Sequence, residues 1–85
     1  MQVTILYFAR LREAVGRTRE VVEPPATVTS VGQLRSWLVL RGEPWSSAFS
    51  MVQPIRIALD QVVSPDETRL HDGAEVAFFP PVTGG

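Results

Sequence analysis

The residues able to do chemistry in this 85-residue chain are few, and most familiar combinations are missing. There is no cysteine, hence no disulfide framework, no thiolate metal site and no catalytic thiol. Lysine is absent too, which removes a Schiff-base nucleophile, a phosphate-loop lysine and any side-chain site for isopeptide chains. His71 is the single histidine; lying beside the turn residue Asp72, it makes no metal pair and reads as plain surface. Asp66, Glu67, Asp72 and Glu75 cluster near two turns. Convergent carboxylates would suit acid–base chemistry or cation binding, but these read as turn residues and solvated strand edges, so no metal site is expected. Gly32 and Gly42 belong to no glycine-rich phosphate loop, and Trp37 and Trp45 read as packing residues rather than a ligand platform.

What remains is the run Ala77-Phe78-Phe79-Pro80-Pro81-Val82-Thr83-Gly84-Gly85. Pro80 and Pro81 cannot donate ladder hydrogen bonds, so they end a strand and set a stiff, extended exit from the domain. The six residues from Pro80 to Gly85 reach at most about 20 Å, enough to thread a partner's pocket while the folded body stays outside. A carboxylate on Gly84-Gly85 sits on a strip without β-carbons, which enters a channel too narrow for any other residue. The chemistry expected is therefore that of a delivered carboxyl group, not of a catalytic side chain.

A domain has to hold that tail. Val3 to Phe8 reads as a strand, with Val3, Ile5 and Tyr7 on one face and Thr4, Leu6 and Phe8 on the other. Ala9 to Val15 predicts a short helical turn ended by Gly16, and Thr18 to Glu23 a hairpin partner that stops at Pro24-Pro25. Ser30 is placed to cap the main helix with Gln33 at the capping-box position. Val31, Leu34 and Leu38 make its buried stripe, Trp37 flanks it, and Arg41-Gly42 supplies the stop. Trp45 to Val52 fits either a helical turn or a packed loop. Ile55 to Leu59 and Gln61 to Val63 read as strands around Asp60, Ser64 to Glu67 as a turn, and Asp72-Gly73 as the turn into a last strand, Glu75 to Phe79. Strands, one amphipathic helix and more strands predict an α+β layer, a mixed sheet packed on one main helix in a β-grasp roll. The domain is expected to span 1–79, with an extended tail at 80–85, and its core to hold Val3, Ile5, Val31, Leu34, Leu38, Ile57 and Val76.

Size and charge narrow the classes further. Eighty-five residues make one domain, too small to hide a deep catalytic pocket as well as a core. A formal charge of −1 without a basic run argues against nucleic acid. The amino-terminal stretch lacks a basic leader and no apolar run nears the roughly 18 residues of a membrane span, so a cytoplasmic location without membrane contact is expected.

Phe78 to Gly85, preceded by Leu70-His71-Asp72-Gly73-Ala74-Glu75-Val76-Ala77, resembles the carboxyl-terminal signature of the small subunits of molybdopterin synthase, a family of ubiquitin-like sulfur carriers. Leu6 to Glu13, with Gly16 after it, is similar to that family's first strand and turn, whereas Trp37 to Pro54 matches only in pattern. Two departures stand out: Asp60 where the family commonly has Asn, and Ala74 where it has an acidic residue. The resemblance implies that Gly85 is adenylated by an ATP-dependent activating enzyme, an adenylyltransferase. A sulfur donor then converts it to a thiocarboxylate, and the tail enters the large synthase subunit to pass sulfur to a cyclic pyranopterin monophosphate. Gly84 would give clearance, Val82 and Thr83 would contact the channel, and Pro80 and Pro81 would complete the tail that binds there. From the residues themselves, alternation sets Phe8 and Phe79 on the outer sheet face, where they and Val63 would anchor the partner. No bound cofactor is implied; ATP belongs to the activating partner. A carrier for thiamine, cysteine or tRNA thiolation, and a protein modifier or plain interaction module, remain the alternatives on residues alone.

Overall fold

A computed structural model of the chain describes residues 1–81; Val82, Thr83, Gly84 and Gly85 lie outside the described residues. The elements occur in the expected order: β1 (Val3–Tyr7), α1 (Ala9–Val15), β2 (Arg19–Val22), α2 (Val31–Val39), α3 (Trp45–Ala48), β3 (Arg56–Leu59), β4 (Val62–Val63) and β5 (Ala74–Phe79). The strands form one mixed sheet in the order β2-β1-β5-β3-β4. β1 and β5 pair in parallel at its centre, with Val3 opposite Ala74 and Tyr7 opposite Phe78, and the other three pairings are antiparallel.

Period-two burial in the two central strands sorts their side chains. Val3, Ile5 and Tyr7 of β1 and Ala74, Val76 and Phe78 of β5 point inward and are buried. They meet Val31, Leu34 and Leu38 of α2, spaced so as to fall on one helix face. All seven residues expected in the core are buried, joined by Leu11, Val22, Val28 and Phe49. Phe49 packs edge-on against both Tyr7 and Phe78, with ring centres 5.9 and 5.0 Å apart.

Local chemistry fixes the helix ends. Gly16 closes α1 in the left-handed region (φ 76°), where its N–H bonds to the Arg12 carbonyl. At α2 the Ser30 hydroxyl accepts from Gln33 N–H, as the capping pattern predicts. Gln33 does not return the bond to Ser30; its side-chain oxygen accepts from the N–H and hydroxyl of Thr29, one residue earlier. In the first turn of α2, a β-carbon on Gly32 would stand 2.8 Å from Asp66 Cβ and 2.9 Å from its carbonyl oxygen, so only glycine lets the 65–68 turn reach the helix. There Asp66 and Thr68 accept from Gly32 and Val31.

The ambiguous 45–52 stretch resolves into the single turn α3 and a set of bends after it. Glu43 holds the start of α3, accepting from the hydroxyl of Ser46 and from both the N–H and hydroxyl of Ser47. Those bonds keep the exposed Glu43 carboxyl below the usual carboxylate range. Arg35, on α2 and only 6% exposed, secures the bends, donating to the carbonyls of Phe49, Ser50 and Gln53 at 2.9, 2.6 and 2.9 Å. Burial lowers its pKa, yet a guanidinium stays charged.

Leu34→Ala removes a fully buried side chain from the centre of this packing. The loss should be about 2–5 kcal/mol, lowering the melting temperature by on the order of 10 °C; thermal unfolding monitored by circular dichroism reads it directly.

Candidate functional site

The helices cover one face of the sheet and leave the other bare among the described residues. Strand register lays out that outer face row by row. Arg19, Leu6, Ala77, Ala58 and Val63 are successive cross-strand neighbours, and Phe79 lies opposite Arg56 in the next row. Large side chains at Leu6, Phe8 and Phe79 surround the small Ala77 and leave a hollow of about 560 Å³ that Pro80 closes at the strand's exit. Its lining is almost entirely apolar, with Glu75 and Gln61 at the remote end. Phe8 is 45% exposed, and Phe79 is half-buried.

The structure therefore brings Phe8, Phe79 and Pro80 together around one hollow. Val63 is also exposed on the outer face but lines a neighbouring, more polar hollow with Arg56 and Asp66. Pro81 is half-buried just past the end of β5. The expected tail positions Val82, Thr83, Gly84 and Gly85 fall outside the described residues. Leu6, Ala77 and Gln61 were not singled out by sequence reasoning. The alternation within β1 and β5 places Leu6 and Ala77 on this face, but their adjacency depends on the β1–β5 register.

The turn beneath the hollow is built on polar contacts. Asp60 and Gln61 both take positive φ (49° and 71°), the form of a two-residue hairpin turn. Asp60 Oδ1 accepts from Glu75 N–H at 3.0 Å, and its Oδ2 lies 2.6 Å from Nε2 of His71, so the turn is tied to β5 and to the loop before it. His71 Nδ1 faces the Asp72 carbonyl at 2.9 Å. Both partners only accept, so both contacts need the doubly protonated ring. His71 is thus exposed, as its sequence context suggested, but engaged. The Asp60 bond raises its pKa, while the Glu75 N–H and then His71 hold Asp60 below the usual carboxylate range. The two departures from the family pattern also acquire positions: Asp60 is the acceptor suited to His71, and Ala74 is fully buried opposite Val3, where a carboxylate would be desolvated.

Behind the sheet, the two tryptophans flank a guanidinium. Arg41 lies 5.2 Å from the ring centre of Trp37 and 4.8 Å from that of Trp45, and donates to both carboxylate oxygens of Glu20. Trp45 donates to the Tyr7 hydroxyl, which donates to Glu20. Burial pushes the Tyr7 pKa up to about 12, so it remains a donor. The space between the indoles is filled by the protein itself. Among the described residues no group of three His, Cys, Asp or Glu side chains is placed to hold a metal, and no helix is long and apolar enough to cross a membrane.

Comparison with known proteins adds a family model that matches residues 5–85. The chain belongs to the ThiS family. Two relatives named molybdopterin synthase sulfur carrier subunit align over nearly the full length of both partners. That from Mycobacterium tuberculosis is 38% identical, covering 100% of this chain and 99% of its own. That from Escherichia coli K12 is 37% identical, covering 98% and 99%. A structure from Pyrococcus furiosus, provisionally assigned as molybdopterin converting factor subunit 1, superposes with a TM-score of 0.78 at 26% identity, covering 96% of this chain and 99% of that one. The ThiS-family roll is the ubiquitin-like β-grasp expected from the element order.

The His71 contact has a sign. Its contribution is complete below the ordinary histidine pKa of 6.5 and is lost as pH rises through the raised folded value; the Asp60 side is lost only as pH falls through its lowered one. A proton NMR titration of His71 should give a midpoint above 6.5, and Asp60→Ala should return it towards that value.

Proposed function

We propose that this chain is the sulfur carrier subunit of a molybdopterin synthase, and that it delivers sulfur from the carboxyl group of Gly85. The observation that carries this reading is the end-to-end match to two relatives of that name, joined to a sheet whose bare apolar hollow opens against Pro80. The folded body spans 1–79 and docks through Phe8 and Phe79, with Val63 at the margin. The tail, 80–85, does the delivery.

A carboxylate is a poor electrophile, so the sequence of steps is constrained. An ATP-dependent activating enzyme joins the Gly85 carboxylate to the α-phosphorus of ATP and releases pyrophosphate. A sulfur donor then supplies hydrosulfide, which attacks the acyl carbon; AMP leaves with the bonding pair, and loss of the proton on sulfur gives a thiocarboxylate. Within the large synthase subunit that sulfur passes to a cyclic pyranopterin monophosphate, and water restores the carboxylate. Gly84 gives the clearance, Val82 and Thr83 contact the channel wall, and Pro80 and Pro81 hold the tail clear of the sheet. The chain supplies the reacting group and no catalytic side chain, binds no cofactor of its own and works in the cytoplasm.

Incubation with ATP, an activating enzyme and a sulfur source, with intact mass measurement of the product, should show one oxygen replaced by sulfur. A covalent adduct with another protein would instead identify a modifier. Removing Gly85 should leave the melting temperature unchanged and abolish sulfur acceptance, because the new carboxylate falls about 3.5 Å short and misplacement by about 1 Å already costs around 100-fold in rate.

Charged residues at the anchors should weaken docking without unfolding the domain. Phe8→Asp and Phe79→Asp are each expected to reduce affinity for the large subunit by at least about tenfold, measured by titration calorimetry, with an unchanged far-ultraviolet dichroism spectrum.

A further inference from the structure

The sheet has two open edges, and they are guarded differently. β4 is two residues long and runs straight into Ser64-Pro65, whereas β2 lays four residues along the other edge. Register shows which backbone groups β2 leaves free. Tyr7 N–H donates to the Thr18 carbonyl, so the bonded pairs between β1 and β2 continue, two residues at a time, to Ile5–Glu20 and Val3–Val22. The N–H and C=O groups of Arg19 and Val21 therefore turn away from β1, towards the edge. Glu23 is the next position of that parity, and Pro24 after it holds Glu23 extended. By the same alternation all three side chains lie on the outer face, and all three are exposed, Val21 by 52%.

An open edge of this kind is ordinarily blunted by charge. Here the charges sit where a copy of the same edge matches them. Antiparallel pairing of β2 with its own copy, about a two-fold axis at Val21, sets Val21 against Val21 and Arg19 of each chain against Glu23 of the other. The position that must face itself is apolar, and the two charged ones, two residues to either side, are opposite in sign. Neither Arg19 nor Glu23 has an ion pair among the described residues. On the inner face the same register brings Glu20 beside Val22, and Glu20 is already engaged by Arg41, Arg17 and Tyr7. A net charge of −1 leaves little overall repulsion between copies.

We propose that the β2 edge is a self-recognition surface through which two copies of this chain join their five-stranded sheets into one. Each outward N–H of Arg19, Val21 and Glu23 then meets a carbonyl of the other chain. The seam is short, so the dimer is weak and reversible. Pairing goes beyond the carrier reading and does not rest on it. The two-fold axis stands perpendicular to the sheet, so both outer faces look to the same side and the two β5 strands end in opposite directions. The hollow lined by Phe8 and Phe79 stays uncovered in each copy.

Sedimentation equilibrium of the full chain tests it. The unaltered chain should associate reversibly to a dimer with a dissociation constant below about 1 mM. Arg19→Glu and Glu23→Arg, which set like charges face to face, should each weaken that dimer at least about tenfold. Mixed in equal amounts, the two variants should pair with each other about as well as the unaltered chain pairs with itself, because every cross-strand charge pair is again opposite. Val21→Pro removes an N–H that faces away from β1, a place where an edge strand accepts proline, and should leave a folded monomer by far-ultraviolet dichroism. A chain that stays monomeric up to about 1 mM overturns the proposal. A dimer that both charge reversals leave intact, or a mixture that fails to restore association, overturns the pairing through β2; loss of such a dimer on Phe8→Asp assigns it to the outer hollow instead. Sulfur acceptance is read separately, by intact mass, so failure of either reading leaves the other standing.

Discussion

The parallel pairing of β1 with β5 is the constraint on which the rest of the molecule hangs. Antiparallel neighbours can be joined by a tight turn, but parallel ones need a crossover long enough to return the chain to the starting edge. Here the crossover includes α2, which buries Val31, Leu34 and Leu38 against the inner side chains of both strands. Parallel strands are ordinarily covered on both faces. In this domain the second cover is missing among the described residues, and Leu6, Ala77 and the two phenylalanines stand open. The same pairing sets Phe8 beside the end of β5, where its N–H bonds to the Phe78 carbonyl, so the bare face and the root of the tail share one end of the sheet.

A domain this small fills part of its interior with polar connections. Arg35 performs the work of missing secondary structure between Phe49 and Gln53, gathering three carbonyls that no helix or strand satisfies. The chain of Trp45, Tyr7, Glu20 and Arg41 joins β1, β2, the end of α2 and α3 through directed bonds. No buried side-chain polar atom among the described residues is left without a partner. Such networks are demanding because a single missing member strands the others in a medium where water cannot replace it.

Much of this was legible from local patterns. Alternation along Val3 to Tyr7 and Ala74 to Phe79 separates the buried face from the open one, and the spacing of Val31, Leu34 and Leu38 identifies the stripe of α2. Strand and helix differ in period, and each period survives in the fold. Other features depend on partners remote in sequence. Arg35 reads as a solvated helix residue until the carbonyls of the 49–53 bends are brought over it. α3 depends on Glu43 meeting Ser46 and Ser47 and on Phe49 finding Tyr7 and Phe78, so neither propensity nor periodicity decides it. At the site, Phe8 and Phe79 are placed by alternation, while the hollow exists only through register. The carboxyl end is the reverse case: the expectation for Gly84 and Gly85 comes from composition alone, and both lie outside the described residues.

The central strand pair joins residues some 70 positions apart, as the Gln2–Asp72 contact at its base illustrates. Pairing over that separation must close a long loop before any contact rewards it, which slows folding. The β1–β2 hairpin can form earlier, but two strands alone are marginal in water. Leu6 and Phe8 come from the start of the chain and Ala77 and Phe79 from the last strand, so the outer hollow is absent from any chain in which β1 and β5 have not paired. On the docking proposed above, recognition of that hollow would also inspect the fold: a misfolded copy offers its tail without the surface that docks the body.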